Sequence, residues 1–263
     1  MSSAFGSCEL TPVNWKLVVL MKALMKAVAI IPARLASSRL PRKMLREIAG
    51  KPLLGWVYEA VRSSPLPADV IIATDSAEIM AVCQKRGWKA LMTSSSHRSG
   101  TERVQEVSDH IQSDVYINVQ GDEPLARPEH IATLLGVMKD PAVHVGTLKT
   151  PMADADIPNP SAVKVVTDLA GRALYFSRAT IPFNRDGTRS LYYKHLGFYA
   201  YRKAALDRFV SMPESPLEKT ERLEQLRFLE NGIPINVGET PSDTVGVDTE
   251  EDLQRVIEIL RKR

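Results

Sequence analysis

The sequence predicts an α/β protein built on a doubly wound, mainly parallel sheet, with an antiparallel lobe inserted in its second half. Three observations carry that prediction. Residues 27–32 form an unbroken apolar run, as a strand buried on both faces requires. From there to about residue 141, short apolar runs alternate with segments of helical spacing, the pattern of β-α-β units. Beyond residue 141 strand-like runs follow one another with turns between them.

The apolar run 27–32 opens into a loop containing Arg34, Arg39, Arg42 and Lys43 and no acid. Residues 52–62 carry Leu53, Leu54, Val57 and Val61 at helical spacing. Residues 70–73 read as the next strand. Asp75 and Glu78 resemble a capping box for a helix through Arg86 that ends at Gly87. Residues 89–92 make a short strand, 100–111 a helix with Val104, Val107 and Ile111 on one face, and 114–119 a further strand. The helix 128–138 opens on Pro128, which the first turn tolerates.

In the second half, residues 143–150, 162–168, 173–177 and 196–201 are strand-like, with turns at Asn159-Pro160 and Gly171. One helix is expected from about 215 to 231, started by Ser215 and Glu218 and stopped by Gly232. A strand at 233–237 and an amphipathic helix at 249–261 close the fold. Residues 25–263 read as one domain, with 141–214 supplying the antiparallel lobe and 1–24 an extension outside the fold. Met21 or Met25 is the expected functional start.

Composition narrows the function. The chain has 263 residues, 44% of them hydrophobic, enough for a sizeable core. A net charge of +3 implies no strong polyelectrolyte partner, and no aromatic-interleaved basic face argues for nucleic acid. The apolar stretch 17–24 is interrupted by Lys22 and too short to span a membrane. Cys8 and Cys83 form no disulfide framework, which fits a reducing cytoplasm.

The candidate chemistry begins with the basic loop. Arg34, Arg39, Arg42 and Lys43 lie beyond the carboxyl end of a strand, where open α/β sheets bind ligands. Lys and Arg give charge-assisted hydrogen bonds to phosphate oxygens, so a triphosphate is the expected ligand. The loop matches neither the phosphate-loop pattern nor the dinucleotide fingerprint. Asp122, in Gln120-Gly121-Asp122-Glu123-Pro124, sits at the mouth of the sheet, as a Mg²⁺ ligand or simply as a turn residue. Asp248 is either a helix cap, a role Thr249 could also take, or a second carboxylate paired with Asp122. Ser99, Gly100 and Thr101 open a helix, as an ordinary cap or as an anion or base-edge site.

Arg178 ends a strand and could clamp a carboxylate or pair with any nearby acid. His195 and Tyr199, four apart, share a strand face. Glu224 and Gln225 lie among leucines, facing a cleft or solvent.

Taken together these segments resemble one family. They are I-P-A-R-x-x-S-x-R-L-P-x-K at 31–43, G-K-P-L at 50–53, A-T-D at 73–75, H-x-S-G-T-E-R at 97–103 and N-V-Q-G-D-E-P at 118–124. They continue with N-P-x-x-V-K-V-V at 159–166, A-L-Y-F-S-R-x-x-I-P at 173–182 and H-L-G-x-Y-x-Y-R at 195–202. S-P-L-E-x-x-E-x-L-E-Q-L-R at 215–227 and G-V-D-T-x-E-D at 246–252 complete the set. The chain resembles the 3-deoxy-manno-octulosonate (Kdo) cytidylyltransferase, or CMP-Kdo synthetase, family from about Lys26 to its end.

The resemblance implies a GT-A-like nucleotidyltransferase fold, a cytoplasmic homodimer, and CMP transfer from CTP to Kdo with Mg²⁺, in lipopolysaccharide synthesis. It implies that Arg34 and Lys43 contact CTP phosphates, with Ser99, Gly100, Thr101 and Gln120 near the nucleotide. Asp122 and Asp248 are implied as the metal ligands. Arg178, His195, Tyr199, Glu224 and Gln225 are implied to line the sugar-acid pocket. A related acceptor (8-amino-Kdo or a sialic acid) and a catalytically silent homologue stay open as alternatives. The loop departs from the family at Arg42, where glycine is common. Glycine accepts positive φ and arginine accepts it poorly.

Overall fold

The structure is a computed structural model that describes residues 25–37, 39–64, 69–187 and 191–262. The proposed extension 1–24 lies outside the described residues. A strand β1 (Ala27–Ala33) forms the centre of a sheet in the order β11-β7-β10-β6-β1-β4-β5. Its neighbours β4 (Asp69–Thr74) and β6 (Val115–Asn118) both run parallel to it, and β5 (Ala90–Met92) runs parallel to β4. All seven residues of β1 are buried. Ala27, Ala29, Ile31 and Ala33 pack into one apolar core and Val28 and Ile30 into the other, so the unbroken run reflects two covered faces.

Two layers of helices cover the sheet. One core takes Leu53, Leu54, Val57 and Val61 from α1 (Leu53–Arg62), Ile79 and Cys83 from α2 (Ala77–Arg86), and Ile131, Leu134 and Leu135 from α4 (Pro128–Val137). The other takes Val104 and Val107 from α3 (Gly100–His110) and Ala205, Leu206 and Phe209 from α5 (Lys203–Ser211). The chain leaves β1 toward β4 on one side, while β6 pairs on the other. The switch point therefore lies between β1 and β6, and the loops that follow these two strands face one crevice.

The antiparallel part is continuous with the main sheet. Strand β10 (Tyr193–Tyr201) inserts antiparallel between β6 and β7 (Val145–Pro151). The hairpin of β8 (Lys164–Thr167) and β9 (Ala173–Ser177) branches off β10. A small hairpin, β2 (Glu47–Ile48) with β3 (Lys51–Pro52), follows the basic loop, and β11 (Asn236–Glu239) pairs parallel with β7.

Three expectations change. The helix expected over 215–231 is two short ones, α6 (Pro216–Glu221) and α7 (Leu226–Glu230). Arg222 between them takes φ 54°, a left-handed conformation that ends the first. The start of α2 is capped by Ser76, whose side chain accepts from Ile79 N, and not by Asp75. Helix α5 was not expected, although Ala205, Leu206 and Phe209 form its apolar stripe. The closing helix α8 (Glu250–Arg261) and the stop at Gly87 (φ 67°) agree with expectation.

Candidate active site

The crevice is assembled from the ends of β1 and β6 and the segment before α8. Lys43 begins a single turn of 3₁₀ helix (Lys43–Leu45) and is only 7% exposed. Its Nζ lies 2.6 Å from Asp122 Oδ2 and 3.0 Å from Asp248 Oδ1. Arg39 Nη2 reaches the other Asp248 oxygen at 3.0 Å. Two carboxylates that are 126 residues apart in sequence thus converge on one ammonium, and the Asp122–Asp248 pairing is present in the folded chain. Burial alone would lower the Lys43 pKa; the two carboxylates outweigh it and hold the pKa above the ordinary lysine value. Burial would likewise raise the Asp248 pKa, but Lys43 and then Arg39 keep it below the usual range.

Local structure explains why both aspartates are available. Thr249 caps α8, its side chain accepting from Asp252 N, which leaves the Asp248 carboxylate free of the helix end. Val247 N donates to Asp122 O at 2.9 Å and ties the two segments together. Gly121 lets the β6 loop pass close to β1, since a Cβ there would fall 2.9 Å from the Pro32 carbonyl oxygen. Arg42 does adopt positive φ (57°), so the loop requires the conformation that glycine supplies elsewhere. Its guanidinium pairs with Glu78 at the start of α2. Arg34 Nη2 donates to His97 O at 2.6 Å and links the basic loop to the segment before α3.

The second half of the crevice is buried and polar. Ser99 caps α3, its Oγ accepting from Glu102 N at 3.2 Å. Thr101 Oγ1 donates to Glu224 Oε1 at 2.6 Å, so Glu224 faces inward and not toward solvent. Burial raises the Glu224 pKa against the opposing hydrogen bonds from Thr101 and Ser99. His195 and Tyr199 share a face of β10, with ring centroids 5.4 Å apart. Burial drives the His195 pKa down to about 3 and raises that of Tyr199 well above the usual phenol value.

Several side chains here lack partners. Tyr199 Oη, Glu224 Oε2, Gln225 Nε2 and both amide atoms of Asn118 are buried without a hydrogen bond of normal geometry among the described residues. Buried polar atoms are almost always bonded, so a cluster of orphans marks a place for a polar ligand or water. Asn118 pairs with Tyr199 across β6 and β10, which puts it in the same cluster. Sequence reasoning missed Asn118; the signal was an asparagine in an apolar strand, where it is disfavoured.

Other placements are less direct. Arg178 donates from Nε to Glu221 O at 2.8 Å, from Nη1 to Pro160 O at 3.1 Å and from Nη2 to Arg222 O at 3.4 Å. Its fork is occupied by carbonyls that join the β8–β9 hairpin to the 221–222 turn. Gln120 approaches β10, its Cγ 3.5 Å from where a Gly197 Cβ would stand. Two further residues were missed. The fully buried Arg103 binds Asp75 at 2.9 Å, uniting the A-T-D and S-G-T-E-R segments. Glu123 is half-buried, its Oε1 set between Gly197 and Gly246, and desolvation, then Asp122, push its pKa up to about 7.

The chain is similar to known cytidylyltransferases. The cytidylyltransferase family profile matches residues 28–237. A 3-deoxy-manno-octulosonate cytidylyltransferase from Koribacter versatilis is 65% identical over 239 residues, covering 90% of this chain and 91% of that protein. The chain belongs to this cytidylyltransferase family. The same enzyme from Acidobacterium capsulatum is 54% identical, with 91% and 98% covered. A solved CMP:2-keto-3-deoxy-manno-octonic acid synthetase, complexed with CTP, is 44% identical with a TM-score of 0.87, covering 90% of this chain and 99% of its own. A 4-diphosphocytidyl-2C-methyl-D-erythritol synthase from Anaerococcus prevotii is 16% identical with a TM-score of 0.61, covering 90% and 98%, and shows the shared fold alone. Family membership makes the chain a nucleotidyltransferase.

Proposed function

We propose that this protein transfers CMP from CTP to the anomeric hydroxyl of Kdo, releasing pyrophosphate and giving CMP-Kdo for lipopolysaccharide synthesis. The observation that carries the reading is Lys43 bracketed by Asp122 and Asp248 at the switch point, next to a buried cluster of unpaired polar side chains. One part is built to manage charge and the other to hold an uncharged polyol surface.

The chemical difficulty is repulsion. The nucleophile carries a carboxylate and its target is a polyphosphate. Two like unit charges ~4 Å apart repel by about 4 kcal/mol at an effective dielectric of 20. Lys43, Arg34 and Arg39 supply cationic groups for the leaving phosphates, so catalysis rests on positioning and electrostatics. Ser99, Gly100, Thr101 and Gln120 are assigned to the nucleotide. His195, Tyr199, Glu224 and Gln225 are assigned to the sugar acid, with Arg178 holding the wall behind them.

The residues fit Mg²⁺. Asp122 and Asp248 are hard oxygen donors already focused on a positive charge. No group of three or more His, Cys, Asp or Glu side chains among the described residues holds a metal alone. A pair of protein carboxylates suits a cation which shares substrate phosphates and water. When bound, it supplies Lewis-acid stabilisation of phosphate charge and lowers the pKa of a bound hydroxyl.

A homodimer and a cytoplasmic location complete the reading. Exposed Leu169, Leu174, Phe183 and Leu191 in the 141–214 segment support dimerisation there. No helix among the described residues is long and apolar enough to cross a membrane. Residues 25–263 are assigned to one catalytic unit, with 141–214 as its antiparallel sugar-binding and dimerisation lobe.

The test is pyrophosphate release from CTP and Mg²⁺ with Kdo, 8-amino-Kdo or N-acetylneuraminate in separate reactions. Release with Kdo is expected. Release with another acid alone would move the protein to a neighbouring specificity, and none with any acid would indicate a silent homologue.

A further inference from the structure

Thr147, on β7, is a fully buried hydroxyl that the reaction as described does not use. It lies beside an irregularity in the sheet. The β10–β7 register runs Leu196 to Leu148 and then jumps to Tyr199 against Thr147, so Gly197 and Phe198 form a bulge. Thr147 Oγ1 is 2.8 Å from the Phe198 carbonyl oxygen and 3.4 Å from that of Leu196. It is also 3.0 Å from His195 Nε2.

These distances fix the protons. A carbonyl oxygen only accepts, so the 2.8 Å contact requires the single hydroxyl proton of Thr147. With that proton on Phe198 O, Thr147 has only lone pairs left for His195. The 3.0 Å contact is then a hydrogen bond donated by Nε2–H. An imidazole with its proton on Nε2 carries a lone pair on Nδ1. The Nε2 bond is the ring's only hydrogen bond among the described residues. The Phe176 ring, edge-on at 5.0 Å, and Tyr199 at 5.4 Å hold the imidazole in place. His195 is one of the residues lining a 460 Å³ cavity, with Glu123, Asn159, Lys194 and Gly197.

We propose that Thr147 is a positioning residue that locks His195 in the Nε2–H tautomer, making Nδ1 an acceptor reserved for a hydroxyl of the sugar acid. The role given to Nδ1 rests on the reading above that this pocket takes the sugar acid; the tautomer itself does not. Burial keeps the ring neutral across the physiological range, consistent with a hydrogen-bonding role and not proton transfer. The bulge is what links the two: it presents the Phe198 carbonyl to Thr147 and so determines which histidine nitrogen faces the ligand.

The experiment is nitrogen NMR on protein labelled with ¹⁵N-histidine, the His195 signals being those lost in His195→Asn. A protonated, pyrrole-type Nε2 and an unprotonated, pyridine-type Nδ1 are expected in the wild type and in Thr147→Ser. In Thr147→Val the preference should be lost. The same variant should raise KM for Kdo about tenfold, the loss of roughly one hydrogen bond. KM for CTP and kcat should stay within about threefold. Thr147→Ser should restore the Kdo KM. An Nδ1–H tautomer in the wild type would overturn the proposal, as would an equal rise in both KM values. If Thr147→Val does not fold, the wild-type and Thr147→Ser spectra still decide the tautomer. A correct tautomer in a protein that uses no sugar acid would defeat the substrate reading and the Nδ1 role, leaving the Thr147 lock intact.

Discussion

The two halves of the crevice treat polarity in opposite ways. Around Lys43 every charge has a partner: Asp122 and Asp248 share the ammonium and Arg39 takes the remaining Asp248 oxygen. Around Tyr199 the side chains are buried and several polar atoms have none. The first half is complete by itself and must exchange partners when a polyphosphate arrives. The second is incomplete and is filled by what binds. Charges cannot be left buried and unpaired, because the desolvation penalty is too large, whereas neutral amides and hydroxyls can be, at a smaller cost; the carboxyl group of Glu224 keeps Thr101 on its other oxygen, and burial raises its pKa.

Removing a charge from the first half should have the largest effect. Asp122→Asn and Asp248→Asn are each expected to lower turnover at least ~100-fold while the protein stays folded. Near-normal pyrophosphate release in both would break the assignment of the charged half.

Next comes acid stability. The His195 pKa is depressed from 6.5 to about 3 in the folded protein. The unfolded chain therefore binds the extra proton first on acidification. Stability is intact above pH 6.5 and falls as pH drops below it. Between pH 7.5 and 5 the wild type should lose about 2 kcal/mol more than His195→Asn in urea unfolding. Parallel losses would mean that the ring is hydrated and protonates freely.

Asn118→Leu should be smaller and of opposite sign. Replacing an unpaired buried amide by an apolar group of similar size should stabilise the free protein by about 1 kcal/mol. Destabilisation would show that buried water already satisfies Asn118 and would weaken the contrast. The smallest effect is expected from Arg42→Gly. Relief of a left-handed arginine, worth about 1–2 kcal/mol, is set against the Glu78 ion pair at roughly 0–1. A net gain of about 0.5–1 kcal/mol in thermal or urea unfolding sharpens the view that this loop geometry is dictated by Lys43.

The sequence made the framework legible because the framework is periodic. The apolar run of β1, the Leu53–Val61 stripe and the Gly87 stop each follow from local rules. The break at Arg222 was hidden, since nothing in Thr220-Glu221-Arg222-Leu223 marks a left-handed residue. Helix α5 went unread because Arg202 supplies no side-chain cap. Asp122, Asp248 and Lys43 were legible as residue types, but the meeting of the two carboxylates was implied only by the family resemblance, because tertiary pairing leaves no spacing signal. Thr147 was invisible for a stronger reason. Its role depends on a bulge in a neighbouring strand, which no property of Thr147 itself predicts.

The Thr249 cap has a consequence for how such sites can be altered. One residue holds the helix and its neighbour faces the crevice, so architecture and chemistry are assigned to separate side chains. The Asp122 segment is held by its main-chain oxygen and not by its carboxylate. Both carboxylates are thus replaceable parts on fixed mounts. A designer seeking a different metal or charge balance can exchange them without rebuilding the loops that carry them.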